Sequence, residues 1–204
     1  MNIHDLPSVI SFFCAALLLL LALGFAVRAR FATDLGAVLV PALFLNVIWA
    51  GVLAWDSHTG WLAAPGHYFL EMARYGGWLA LMWVALPRES KDSWLEALPR
   101  LLVAVWTLLV LVGAAVSAAI DVGLMARWPT LLFAVGGLIC ALLVLVSAEQ
   151  VGRNRGPAAY WAVKHVLTAV GLLAGYDVVM FSATYVLSDV PVALWQGRGF
   201  ANAI

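Results

Sequence analysis

The sequence predicts an all-α fold: a polytopic transmembrane helix bundle of six full spans and a truncated seventh, with the N-terminus outside. Three observations predict it. First, 65% of the 204 residues are hydrophobic and 11% are charged, more apolar surface than a water-soluble domain can hide. Hydrocarbon tolerates such a chain only if each backbone N–H and C=O is paired within its own segment, which makes the spans helices. Second, apolar runs of about twenty residues, the length that crosses the hydrocarbon core, recur along the chain. Third, the basic residues alternate between connections in the way that sets membrane orientation.

The first run, Pro7–Val27, follows an N-terminal segment without Lys or Arg and lacks a small-residue cleavage site, so it reads as a retained anchor. The next spans are Leu35–Trp55, His67–Leu86, Leu101–Ile120, Leu131–Ala148 and Val166–Leu187, with a partial span over 190–204. Short connections are punctuated at Pro65-Gly66, Pro87, Pro99, Pro129, Gly156-Pro157 and Pro191, and leave no room for a soluble domain. The chain is thus a single membrane domain over 1–204.

Arg28, Arg30, Arg88, Lys91, Arg100, Arg153, Arg155 and Lys164 fall on alternate connections of one side, whereas Arg127 and Arg198 fall on the other. Lys and Arg are retained in the cytoplasm, so the N-terminus is expected outside. Trp55, Trp61, Trp94, Trp128, Trp161 and Trp195 lie near span ends, where interfacial aromatics gather. The lipid bilayer is the first expected partner. A net charge of zero and the lack of a basic face speak against nucleic acid.

Ionisable groups within spans normally face the bundle interior and mark something useful. His67, Glu71, Arg74 and Trp78 share one face of the third span. Asp177 lies at similar depth in the sixth, so an intramembrane polar cluster of Glu71, Arg74 and Asp177 is expected, as a register device or as a working site. Gly171 with Gly175, and Ala73 with Gly77, form small-xxx-small pairs that predict close packing of the sixth span on the third. Asn46 is expected to bond a neighbouring helix. No catalytic, cofactor-binding or metal motif is found: Cys14 and Cys140 are isolated, and His67 and His165 lie at opposite membrane faces, too far apart to share a haem iron.

The string KHVLTAVGLLAGYDVVMFS with the later LWQGRGFANAI resembles the PrsK-type sensor histidine kinases of the exosortase/PEP-CTERM system. The matching positions are Lys164, Gly175, Tyr176, Asp177, Leu194, Trp195, Arg198, Gly199, Asn202 and Ala203, and LEMARYGGWL, with Glu71, Arg74 and Trp78, resembles that family's Glu-x-x-Arg helix. The resemblance implies the sensory membrane region of a bacterial two-component kinase linked to exopolysaccharide and protein sorting. It implies the inner membrane, a response-regulator partner and a homodimer formed through kinase domains. ATP would bind those domains, which these residues do not contain, so no cofactor is expected here. Two other classes stay open. The charge cluster would equally suit a small transporter or channel, and the chain could be a structural envelope-assembly protein or an enzyme using the outer loop with Asp56, His58 and His67.

Overall fold

The computed structural model describes residues 6–28, 34–86, 93–121, 128–154 and 157–202. Seven helices make up this part: α1 (Leu6–Arg28), α2 (Asp34–Thr59), α3 (Ala64–Ala85), α4 (Ser93–Asp121), α5 (Trp128–Asn154), α6 (Pro157–Leu187) and α7 (Val192–Ala201). Five of them, α1, α2, α4, α5 and α6, are long and apolar enough to cross a membrane, which makes the chain a multi-pass helical membrane protein.

α3 is the informative exception. At 22 residues it is long enough to cross, but Glu71, Arg74 and its Tyr and Gly residues dilute its hydropathy. It packs against α2, α4 and α5, so its polar face meets protein rather than lipid. Tyr68, Met72, Tyr75, Leu81 and Met82 are all nearly inaccessible, and they anchor a core that extends to Cys140, Met180 and Phe181.

The helices outrun the hydropathy-defined spans, and do so furthest at one end. α4 begins at Ser93 rather than Leu101, α5 continues to Asn154 rather than Ala148, and α6 begins at Pro157 rather than Val166. Apolar runs delimit the hydrocarbon core, whereas the backbone hydrogen-bond ladder continues into polar surroundings, as in the Arg153–Glu149 pair at 2.5 Å on α5. Pro99 does not break a connection either, for it lies inside α4. Pro65 occupies the first turn of α3, where no intrahelical N–H is needed. Of the residues used to orient the chain, Arg30, Arg88, Lys91, Arg127 and Arg155 lie outside the described residues, as do the side chains of Arg28, Trp94, Trp128 and Trp161.

Two expected contacts are corrected. Gly171 and Gly175 do not seat α6 on α3, since a Cβ on either would meet nothing within 4 Å. Gly77 instead faces α2, where an added Cβ would lie 3.2 Å from Ala42 Cα, and Ala73 lines an open apolar groove between α2, α3 and α4. The close glycine approaches are elsewhere. A Cβ at Gly137 would lie 2.3 Å from the Phe181 ring, and one at Gly199 would lie 2.4 Å from the Ser11 backbone, so α5 admits a ring and α7 seats on α1 only because those positions lack a side chain. Asn46 also departs from expectation: its amide bonds back to Ala42 O at 2.8 Å within α2.

Candidate functional site: a buried four-charge lock

α6 ends at Leu187, the chain turns through Ser188 at φ 55°, and α7 then runs back into the bundle beside α6, α1 and the face of α3. Tyr176 Oη donates to Leu194 O at 2.6 Å and helps to hold α7 there. The result is a cluster of two carboxylates and two guanidiniums, Glu71 and Arg74 from α3, Asp177 from α6 and Arg198 from α7, all essentially inaccessible.

Arg198 spans both acids. Its Nη1 and Nη2 donate to Glu71 Oε1 and Oε2 at 2.5 and 2.8 Å, and its Nε donates to Asp177 Oδ1 at 2.7 Å. The two-pronged pairing with Glu71 fits the planar guanidinium fork. Arg74 pairs with Asp177 through Nη2, lies 3.2 Å from Glu71 Oε2, and donates from Nη1 to Asn202 Oδ1 at 2.9 Å. Tyr75 Oη donates to Asp177 Oδ2 at 2.7 Å, and Trp49 Nε1 on α2 donates to Glu71 Oε1 at 2.7 Å. Each carboxylate therefore accepts at least three bonds, and opposite charges are equal in number. A buried ionic group persists only under such saturation, because the exchange of water for protein must be matched bond for bond.

Aromatic rings close the cluster. Arg74 Cζ lies 4.5 Å from the Trp49 ring centre and 4.7 Å from that of Tyr75; Arg198 Cζ lies 5.0 Å from Trp49, 5.1 Å from Phe181 and 5.6 Å from Trp195. These are cation–π distances, and the rings also replace lipid and water around the charges. Two cavities, the α2–α3–α4 groove and one at the end where α7 begins, have none of the four charged residues among their described lining.

Glu71, Arg74 and Asp177 are thus brought together, as their depth in the sequence predicted. Arg198 is the correction: it was assigned to a connection, yet it is fully buried and makes three of the charged bonds. The missed signal was arithmetic. Two acids and one Arg leave an uncompensated negative charge in the membrane, which asks for one more cation. Trp195, Arg198 and Asn202 also recur at helical spacing and share a face. Trp195 correspondingly is no lipid-facing anchor, for its ring packs 5.5 Å from Phe12 and 6.2 Å from Phe133, whereas Trp55 and Trp61 are exposed.

At the end of the bundle where α2 meets α3, Gly60 takes φ 61° and reverses the chain. Asp56 Oδ1 there accepts the Leu62 N–H at 2.7 Å, and its Oδ2 lies 2.8 Å from His67 Nε2. His67 thus belongs to a pair at the membrane edge, apart from the four charges with which it shares a helix face. Comparison of the chain with protein-family models, curated proteins and solved structures returned no match.

Proposed function

We propose that this chain is the membrane-embedded sensory and signal-coupling region of a bacterial sensor histidine kinase, of the PrsK type that its α3, α6 and α7 motifs resemble. On this reading α1 to α6 cross the inner membrane with the N-terminus outside, and α7 opens a further inward crossing. The kinase and ATP-binding domains, the dimer contact and the response regulator belong to the rest of that signalling system. The helix order supports the orientation: Arg100, Arg153 and Lys164 fall towards the start of α4, the end of α5 and the start of α6 at one end, while Asp56 and His67 lie at the other.

The observation that carries the reading is the charge lock itself. It ties α7 to α3 and α6 through Arg198, so a change in the packing of α3 or α6 alters the seat of α7. A saturated ion-pair network has few alternative arrangements, and that is the property a two-state coupling element requires. A transport site built on the same four charges would need water to reach them, and the enclosing rings and the two carboxylates, each accepting three or more bonds, favour coupling over conduction.

The test has two arms. The genomic reading frame containing this chain should encode a phospho-acceptor helix and an ATP-binding domain in phase with α7; a frame without them removes the kinase reading. In that intact protein, Arg198→Gln should fix phosphoryl output at one level across inducing and non-inducing conditions. Output that still follows the stimulus would remove the lock from the signalling path, and proton or ion flux in proteoliposomes abolished by the same substitution would favour the transporter.

A further inference from the structure

A cavity of about 510 Å³ opens at the end of the bundle where α1, α3 and α5 begin, α2 ends and α7 turns inward. Its size falls within the roughly 300–1,000 Å³ of small-molecule sites. Ser57, Thr130, Asp56 and His67 line it together with Phe133 and Trp195. No Lys or Arg is among its described lining residues, so a phosphate or carboxylate would find no cationic partner. Asp56 is already engaged by the Leu62 N–H and by His67, so a cation would have to displace one of them.

What this lining offers is hydrogen bonding next to aromatic rings, with no described Lys or Arg and with its carboxylate already engaged by protein. A sugar presents that pattern in reverse: hydroxyls that donate and accept, around a C–H face that packs on a ring. We infer that the cavity is a binding site for a neutral polyhydroxylated ligand, a sugar or polyol of one or two rings in size.

The position of the site adds a consequence, which rests on the sensory reading above. Trp195 precedes Arg198 by one helical turn and lies against its guanidinium, and Phe133 packs 5.3 Å from Phe181, which lies under the same guanidinium. An occupant touching Trp195 and Phe133 therefore presses on two of the contacts that enclose Arg198.

Binding is tested on the full chain in phosphatidylcholine nanodiscs prepared without glycoside detergent, by calorimetry and thermal unfolding. The probes are glucose, galactose, N-acetylglucosamine, maltose and inositol, with glucosamine and glucuronate as charged counterparts. At least one neutral probe should bind at low-millimolar concentration and raise Tm, and Asp56→Asn and Thr130→Val should each weaken it about tenfold, with the charged counterparts weaker still. Because Asp56→Asn also loosens the α2–α3 turn, Thr130→Val decides if the first variant does not fold. Absence of binding by every neutral probe, tighter binding of a charged counterpart, or equal affinity in the folded variants would overturn the site. A bound sugar that leaves phosphoryl output in the intact protein unchanged would overturn the sensory reading and leave the site standing.

Discussion

α3 and α4 are neighbours in the chain and in space, yet they solve opposite problems. α4 is strongly apolar and presents Leu101, Leu108 and Leu111 outward, each more than half exposed in the isolated chain. α3 is the least apolar of the six long helices, and it buries Glu71, Arg74 and Tyr75 almost completely. In water the apolar helix would be central and the charged one peripheral. A bilayer inverts this, since lipid is as good a surrounding for Leu as protein is, while a charge must be enclosed by partners. The difference teaches where binding energy resides: α4 is held in the membrane by its composition, and α3 is held in the bundle by specific bonds.

The widest break in that comparison comes from removing one charge of the lock. Arg198→Gln leaves Glu71 and Asp177 to share Arg74, and an uncompensated buried charge costs about 3–5 kcal/mol. We expect Arg198→Gln to lower the yield of folded protein and the unfolding midpoint more than any single substitution on the lipid face of α4. Arg74→Gln should follow, because Arg198 still bridges both acids without it, and Glu71→Gln should be milder than either. A midpoint unchanged by Arg198→Gln would mean that the four groups do not interact in the bilayer.

The pair can then be removed together. Glu71→Gln with Arg198→Gln leaves Arg74 and Asp177 as a balanced pair, so the double variant should be more stable than Arg198→Gln alone. The coupling between the two sites in a double-mutant cycle is expected at ~1–3 kcal/mol. Strictly additive effects would show that Arg198 is held by its aromatic cage rather than by Glu71.

These expectations also measure how much the sequence could say. The helical, multi-pass character of the chain, the approximate extent of its helices and the interior placing of Glu71, Arg74 and Asp177 were legible, because length and hydropathy act locally along the chain. Arg198 was not read as interior because its own neighbourhood, Trp-Gln-Gly-Arg-Gly, looks like a connection and only the charge balance of two distant helices demands it. The same holds for glycines. Gly171 and Gly175 carry the familiar spacing, yet a Cβ on either would meet nothing within 4 Å, whereas Gly137 and Gly199 carry close approaches, which depend on what the opposing helix presents. Spacing along one helix cannot report the side chain across from it.

Gly199 offers an intermediate test, between charge and lipid face. An added Cβ would fall within 2.6 Å of the Ser11 backbone and hydroxyl, and backbone cannot swing aside as a side chain can. Gly199→Ala should therefore shift α7 off α1 at a cost of roughly 1–3 kcal/mol. Gly171→Ala is the matched control in open space, where the better helix propensity of Ala makes it neutral or stabilising by up to ~1 kcal/mol. Equal destabilisation by both, measured as unfolding midpoints in one lipid, would mean that α7 does not rest on α1.

The smallest effect belongs to the lipid face of α4. Leu108 and Leu111 are 59% and 61% exposed, so their side chains point away from the rest of the chain, and in a bilayer they are expected to meet acyl chains. Truncation to Ala there removes no packed neighbour and creates no cavity, and each should change stability by less than about 0.5 kcal/mol. Met82 on α3 is also apolar, but it is 1% exposed within the core, and Met82→Ala should cost ~2–5 kcal/mol through the void it leaves. Because the two substitutions remove comparable apolar volume from adjacent helices, their difference isolates enclosure from hydrophobicity. A Leu108→Ala penalty approaching that of Met82→Ala would mean that α4's outward face is covered by protein in the membrane, and α4 would then belong to an interface rather than to the lipid boundary.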